Sequence, residues 1–121
     1  MKIVITTENM FVALRLKSDI LKTINGNVPT ISIDTWSYQK AAQDYDIIYH
    51  NALQYTQDPT KNVLFRVVVN DSNVMFIPAW WTKNPEPSRE IVCIHIGRLA
   101  EMLLRYFPNY MEKFSILDVK N

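Results

Sequence analysis

Glycine is nearly absent from this sequence: Gly26 and Gly97 are the only two. Dinucleotide fingerprints, P-loops and kinase phosphate loops each need several closely spaced glycines, because their backbone must crowd against a phosphate. No such cradle can be built from Gly26 and Gly97. A whole class of nucleotide chemistry is therefore excluded before any fold is considered.

The chain of 121 residues has the size of one domain, spanning 1–121, and can bury a core without disulfide or metal staples. Its 48% hydrophobic and 21% charged residues argue against intrinsic disorder. Thirteen Lys and Arg against twelve Asp and Glu leave a net charge of +1, so no broad positive field attracts nucleic acid or an anionic membrane. The single cysteine, Cys93, cannot close an intramolecular disulfide. No apolar run reaches the roughly 18 residues of a membrane span, and Met1–Thr6 is too short for a signal-peptide core. These features read as a cytoplasmic protein. The lean toward Ile, Asn, Lys and Tyr is common in AT-rich coding DNA, including that of phages and mobile elements.

Hydrophobic patterning predicts the elements. Residues 2–6 are β-branched and alternate, as a first strand would. Thr7 is the expected N-cap of a helix running to Ile24, with Asn25-Gly26 as its stop. Its wide apolar arc holds Met10, Val12, Ala13, Leu14, Leu16, Ile20, Leu21 and Ile24, and Lys17 interrupts the centre of that arc. Thr30–Asp34 alternates like a strand, Thr35 or Ser37 would cap a short helix to Gln43, and Tyr45–His50 reads as a central strand. One helical turn is expected at Ala52–Tyr55. Val63–Val69 and Val74–Ile77, joined by Asn70-Asp71-Ser72-Asn73, predict an antiparallel hairpin. Ile91–Ile96 reads as another strand, released by Gly97 into a helix over Arg98–Phe107, with Arg98, Glu101 and Arg105 on its narrow polar side. Pro108 ends that helix or opens a short one, and Ile116-Leu117 suggests an edge strand. The expected fold is α/β (α+β mixed): one mixed five- or six-stranded sheet, a βαβαβ half with parallel crossovers, an antiparallel meander and a C-terminal helix.

Chemistry-bearing residues are few. Cys93 and His95 lie two apart on the expected strand and would supply half a zinc site, but neither a CxxC nor an HxxxH completes it. No metal or cofactor is expected. A reactive cysteine needs a cation or helix N-terminus to lower its pKa, which a mid-strand Cys93 lacks. No serine sits in a nucleophile elbow. The catalytic set is empty, and the favoured reading is non-enzymatic.

The most unusual segment is Ala79-Trp80-Trp81-Thr82-Lys83-Asn84-Pro85-Glu86-Pro87-Ser88-Arg89. Consecutive strand residues point to opposite faces, so the two tryptophans cannot both enter one core. Pro85 and Pro87 stiffen the loop, and Trp and Arg are enriched in interface hot spots. Trp80, Trp81, Lys83 and Arg89 are the expected partner-binding residues. The sequence reading is a small protein-binding module, of the inhibitor or immunity type, phage- or mobile-element-encoded and aimed at a host protein. Nucleic acid and membrane are not expected partners. A second reading is a small-ligand, nucleotide-binding or enzymatic domain with its site at strand ends, around Thr6, Thr7, Glu8, Asp34 and Asn51. A third is homodimerisation through an exposed strand or the terminal helix.

Overall fold

In the computed structural model, residues 1–26, 33–41, 45–51, 63–81 and 85–118 are described. Ile3 and Ile5 are fully buried while Lys2, Val4 and Thr6 are not, the period-two signature of a sheet covered on one face. The elements follow in the order β1 (Lys2–Thr6), α1 (Met10–Ile24), β2 (Trp36–Lys40), β3 (Asp46–His50), β4 (Leu64–Asn70), β5 (Asn73–Ala79), α2 (Arg89–Tyr106), a 3₁₀ turn (Pro108–Tyr110) and β6 (Lys113–Leu117). They form an α+β fold with one six-stranded sheet of order β2-β3-β4-β5-β1-β6, and every described pairing is antiparallel.

This corrects the expected βαβαβ half with parallel crossovers and the mixed sheet. β1 lies between β5 and β6 instead of pairing with the strand that follows α1. α1 packs on β4, β5 and β2, so the chain crosses the sheet and re-enters it at the far edge. The short helix expected from Thr35 or Ser37 is replaced by β2. Trp36 is buried and Tyr38 packs against the core, two residues apart, which suits a strand laid against β3. Ile33 and Asp34 are outside any strand, the rest of the expected strand at 30–34 lies outside the described residues, and so does the turn at 52–55.

The expected strand at Ile91–Ile96 is the first part of α2. Ser88 caps it, its Oγ accepting from the Ile91 amide at 3.3 Å, and Glu90 sits in the first turn, where a carboxylate complements the helix dipole. His95, Ile96, Leu99, Met102 and Leu103 are buried at i, i+1, i+4, i+7 and i+8, one continuous helical stripe. Gly97 therefore lies inside the helix and does not start it. α1 is capped by Asn9, whose Oδ1 accepts from the Val12 amide at 3.0 Å, and not by Thr7. Gly26 takes φ +77° just past the end of α1, the left-handed position glycine occupies without strain.

The main core cluster lies on one face of the sheet. Ile3, Ile5, Ile48, Phe65, Val74 and Phe76 from the sheet meet Leu16 and Ile20 of α1 and Leu99 and Leu103 of α2. Register places Ile3 opposite Phe76, Val67 opposite Phe76 and Phe65 opposite Ile48, so these residues belong to one face. Both helices pack on that face.

Candidate functional site

The opposite face of the sheet follows from the same alternation. Val4 pairs with Met75 and Met75 with Val68; Ile77 pairs with Arg66 and Arg66 with Ile47. Ile47 and Leu64 on this face are buried, whereas Val4, Val68, Met75 and Ile77 are half-buried. The charged residues that the strands place on this face are Lys2, Arg66 and Lys113, with no carboxylate among its described strand residues. The Arg66 guanidinium stacks 3.9 Å above the Tyr45 ring, which compensates part of the cost of partial burial, while its Nε has no hydrogen-bond partner among the described residues.

Trp80 and Trp81 leave the sheet together at the end of β5, and each is 38% exposed. Two adjacent tryptophans that both keep over a third of their surface in water form an apolar patch a lone surface residue does not. Arg89 lies at the start of α2, fork-to-fork with Asp118: Nη1 donates to Oδ1 at 3.0 Å and Nη2 to Oδ2 at 2.5 Å. That pair ties α2 to the end of β6, and the Asp118 carboxylate raises the already high Arg89 pKa. Lys83 lies outside the described residues.

The residues of the strand-end reading are not brought together. Thr6 pairs with Asn73 at one end of the sheet, and Thr7 lies beside the β4–β5 turn. Its buried Oγ1 is 2.7 Å from the Ser72 carbonyl and 2.8 Å from that of Asn9, with one hydroxyl proton to give. Asp34 and Asn51 sit at the other end, where Trp36 pairs with His50. There Asn51 Nδ2 donates to the Asp34 carbonyl at 2.7 Å, its backbone amide donates to Thr35 O at 2.8 Å, and its Oδ1 accepts from the Ser37 hydroxyl. Asn51 thus acts as a clamp on the entry to β2.

The Cys93–His95 pair fails for a geometric reason. Two positions apart on a helix are about 200° apart, so Cys93 is exposed while His95 is buried. His95 Nδ1 donates to the Ile91 carbonyl at 2.8 Å. Burial lowers the pKa of His95, with the charge of nearby His50 adding to the effect. Burial likewise lowers that of His50, helped by Arg98. Among the described residues, no three His, Cys, Asp or Glu side chains gather as a metal site requires.

Lys17 resolves into an ion pair. From within the apolar side of α1 its Nζ reaches Asp46 Oδ2 at 2.7 Å, and Tyr38 Oη donates to Asp46 Oδ1 at 2.5 Å. The sheet face opposite the helices and this triad escape sequence reading because both depend on strand order. The alternation of Leu64, Arg66 and Val68 with buried Phe65 and Val67 is the one local hint.

With this geometry in view, no known family, curated protein or solved structure matches the chain. No helix among the described residues is long and apolar enough to cross a membrane.

Proposed function

We propose that the chain is a small non-enzymatic protein-binding module, an inhibitor or immunity-type factor acting in the cytoplasm, and that its partner is an acidic protein surface. The contact surface is the sheet face opposite the two helices, with Trp80 and Trp81 at one end. The observation that carries this reading is the face itself: half-buried Val4, Val68, Met75 and Ile77 form an apolar centre, and the charges that the described strand residues place around it are Lys2, Arg66 and Lys113. An apolar centre with a polar rim is the anatomy of a protein–protein interface. A rim of one sign selects a partner of the other and speeds its approach. Single-stranded nucleic acid is the weaker fit, because it binds through exposed aromatic platforms and the middle of this face is aliphatic. The AT-rich character of the composition supports a phage or mobile-element origin.

The test is capture from native lysate by the wild type, by Lys2→Glu/Lys113→Glu and by Trp80→Ala/Trp81→Ala, each with circular dichroism to confirm the fold. The wild type is expected to retain an acidic protein, with retention weakened at about 0.5 M salt as screening shortens the Debye length. Both double variants should lose it. Retention of nothing, or equal retention by the charge-reversed variant, overturns the reading. A dimer in light scattering that the charge reversal abolishes would assign the face to a second copy instead.

A further inference from the structure

A cleft of about 350 Å³ opens where β2 begins and β3 ends, beneath the second half of α2. It lies on the helix-covered side of the sheet and is independent of the protein-contact face. Its volume falls at the lower end of small-molecule sites. The floor is apolar: Ile33, Trp36 and Met102 line the cleft and are no more than 5% exposed. His50 stands edge-on to Trp36, with ring centroids 5.3 Å apart and an interplanar angle of 76°.

The rim carries both signs of charge. Arg98, Glu101 and Arg105 fall at i, i+3 and i+7 on α2, a spacing that puts them on one side of the helix, and Asp34 stands on the β2 side. Arg98 Nη1 approaches Glu101 Oε2 at 3.5 Å, so Arg98 already shares the carboxylate that α2 places on this rim. The Arg105 guanidinium lies 5.1 Å from the Tyr106 ring centroid and remains exposed. The wall opposite is fixed in advance, because Asn51 holds the Asp34 and Thr35 carbonyls at 2.7 and 2.8 Å. A preorganised wall reduces the ordering cost of binding.

Ligand chemistry follows from this lining. A polyanion would meet Asp34 and Glu101 as well as the arginines, and a purely apolar compound would leave the rim unused. A ligand with one acid, one ammonium and an apolar body matches floor and rim together. We propose that this cleft binds a free α-amino acid with a bulky apolar side chain. Its carboxylate pairs with Arg105, its ammonium with Asp34, and its side chain rests on Trp36 and Met102.

Isothermal titration calorimetry tests this with L-phenylalanine, L-tryptophan and L-leucine as probes. At least one should bind saturably. Removing one charged end, with 3-phenylpropanoate or phenethylamine in place of phenylalanine, should weaken binding about tenfold or more, as should Arg105→Ala and Asp34→Asn. Arg105 and Asp34 are exposed, and unchanged circular dichroism would show that both variants keep the fold. No saturable binding of any of the three amino acids up to about 10 mM overturns the proposal. So does equal binding of 3-phenylpropanoate, which would make the site one for simple anions, or wild-type affinity in both folded variants.

Discussion

At the scale of single residues, the most consequential arrangement is the triad of Lys17, Asp46 and Tyr38, which joins α1 to the β2–β3 edge. A lysine amid apolar helix positions is tolerated because its stem packs while its ammonium reaches a carboxylate. Burial pushes the Asp46 carboxyl upward, but hydrogen bonds from Lys17 and Tyr38, with the charges of Lys17 and Lys40, outweigh it and hold the pKa below the usual value. The Tyr38 hydroxyl is pushed up to about 12, chiefly by the same hydrogen bond to Asp46. Lys17→Met should therefore destabilise the fold by about 1–2 kcal/mol, since it strands a partly buried carboxylate. The Asp46 pKa should rise in the same variant. Denaturant titration and carboxyl NMR read the two effects, and an unmoved Asp46 pKa would contradict the account. Lys17→Met/Asp46→Leu should recover part of the loss, because replacing both partners leaves no orphaned charge.

At the scale of elements, local signals and distant ones part company. The hairpin of β4 and β5 is legible because Asn70-Asp71-Ser72-Asn73 is a cluster of turn-formers between two apolar runs, and Asp71 indeed adopts φ 53°. α1 is legible from its period, although Met10 and Leu14, assigned by that period to its apolar arc, are 49% and 48% exposed. α2 is half legible. The β-branched run around Ile91, Val92 and Ile94 imitates a strand, and only the cap at Ser88 and the stripe beginning at His95 reveal one helix. β2 is hidden because Trp36 and Tyr38 become strand residues only once β3 is beside them. Of the site residues named from sequence, Trp80 and Trp81 are both exposed, where strand alternation required only one of them to be, and Arg89 is tied to Asp118. The sheet face and cleft are assembled by long-range pairing, which no local window contains.

Gly97 gives α2 a quantitative check. A Cβ built there meets nothing within 4 Å, and its φ is not left-handed. Gly97→Ala should therefore stabilise the protein by about 0.5–1 kcal/mol, through helix propensity and a less disordered unfolded state. Loss of stability in urea denaturation would mean that the position is constrained by something other than helix energetics. At the opposite helix, Asn9→Ala should cost about 1 kcal/mol, because the Val12 amide loses its acceptor.

At the scale of the whole molecule, both histidines lie on the helix-covered side of the sheet. His95 is fully buried in α2, and His50 closes β3 beneath Arg98. Both folded pKa values lie below the ordinary 6.5, with burial the main cause. Below pH 6.5 the unfolded chain takes up protons at these positions that the folded chain resists. The unfolded state then holds more protons, so stability falls as pH falls, from about 6.5 down through the depressed folded values. Asp46 acts in a lower window, since stability from its depressed pKa is lost only as pH drops below 3.8. Thermal unfolding at pH 5.5 should thus begin a few degrees below that at pH 7.5. The difference should shrink in His95→Leu, measured against that variant's own value at pH 7.5. A midpoint unchanged between the two pH values would mean that the histidines are as easily protonated in the folded chain as in the unfolded one, contrary to the burial of His95 and the partial burial of His50.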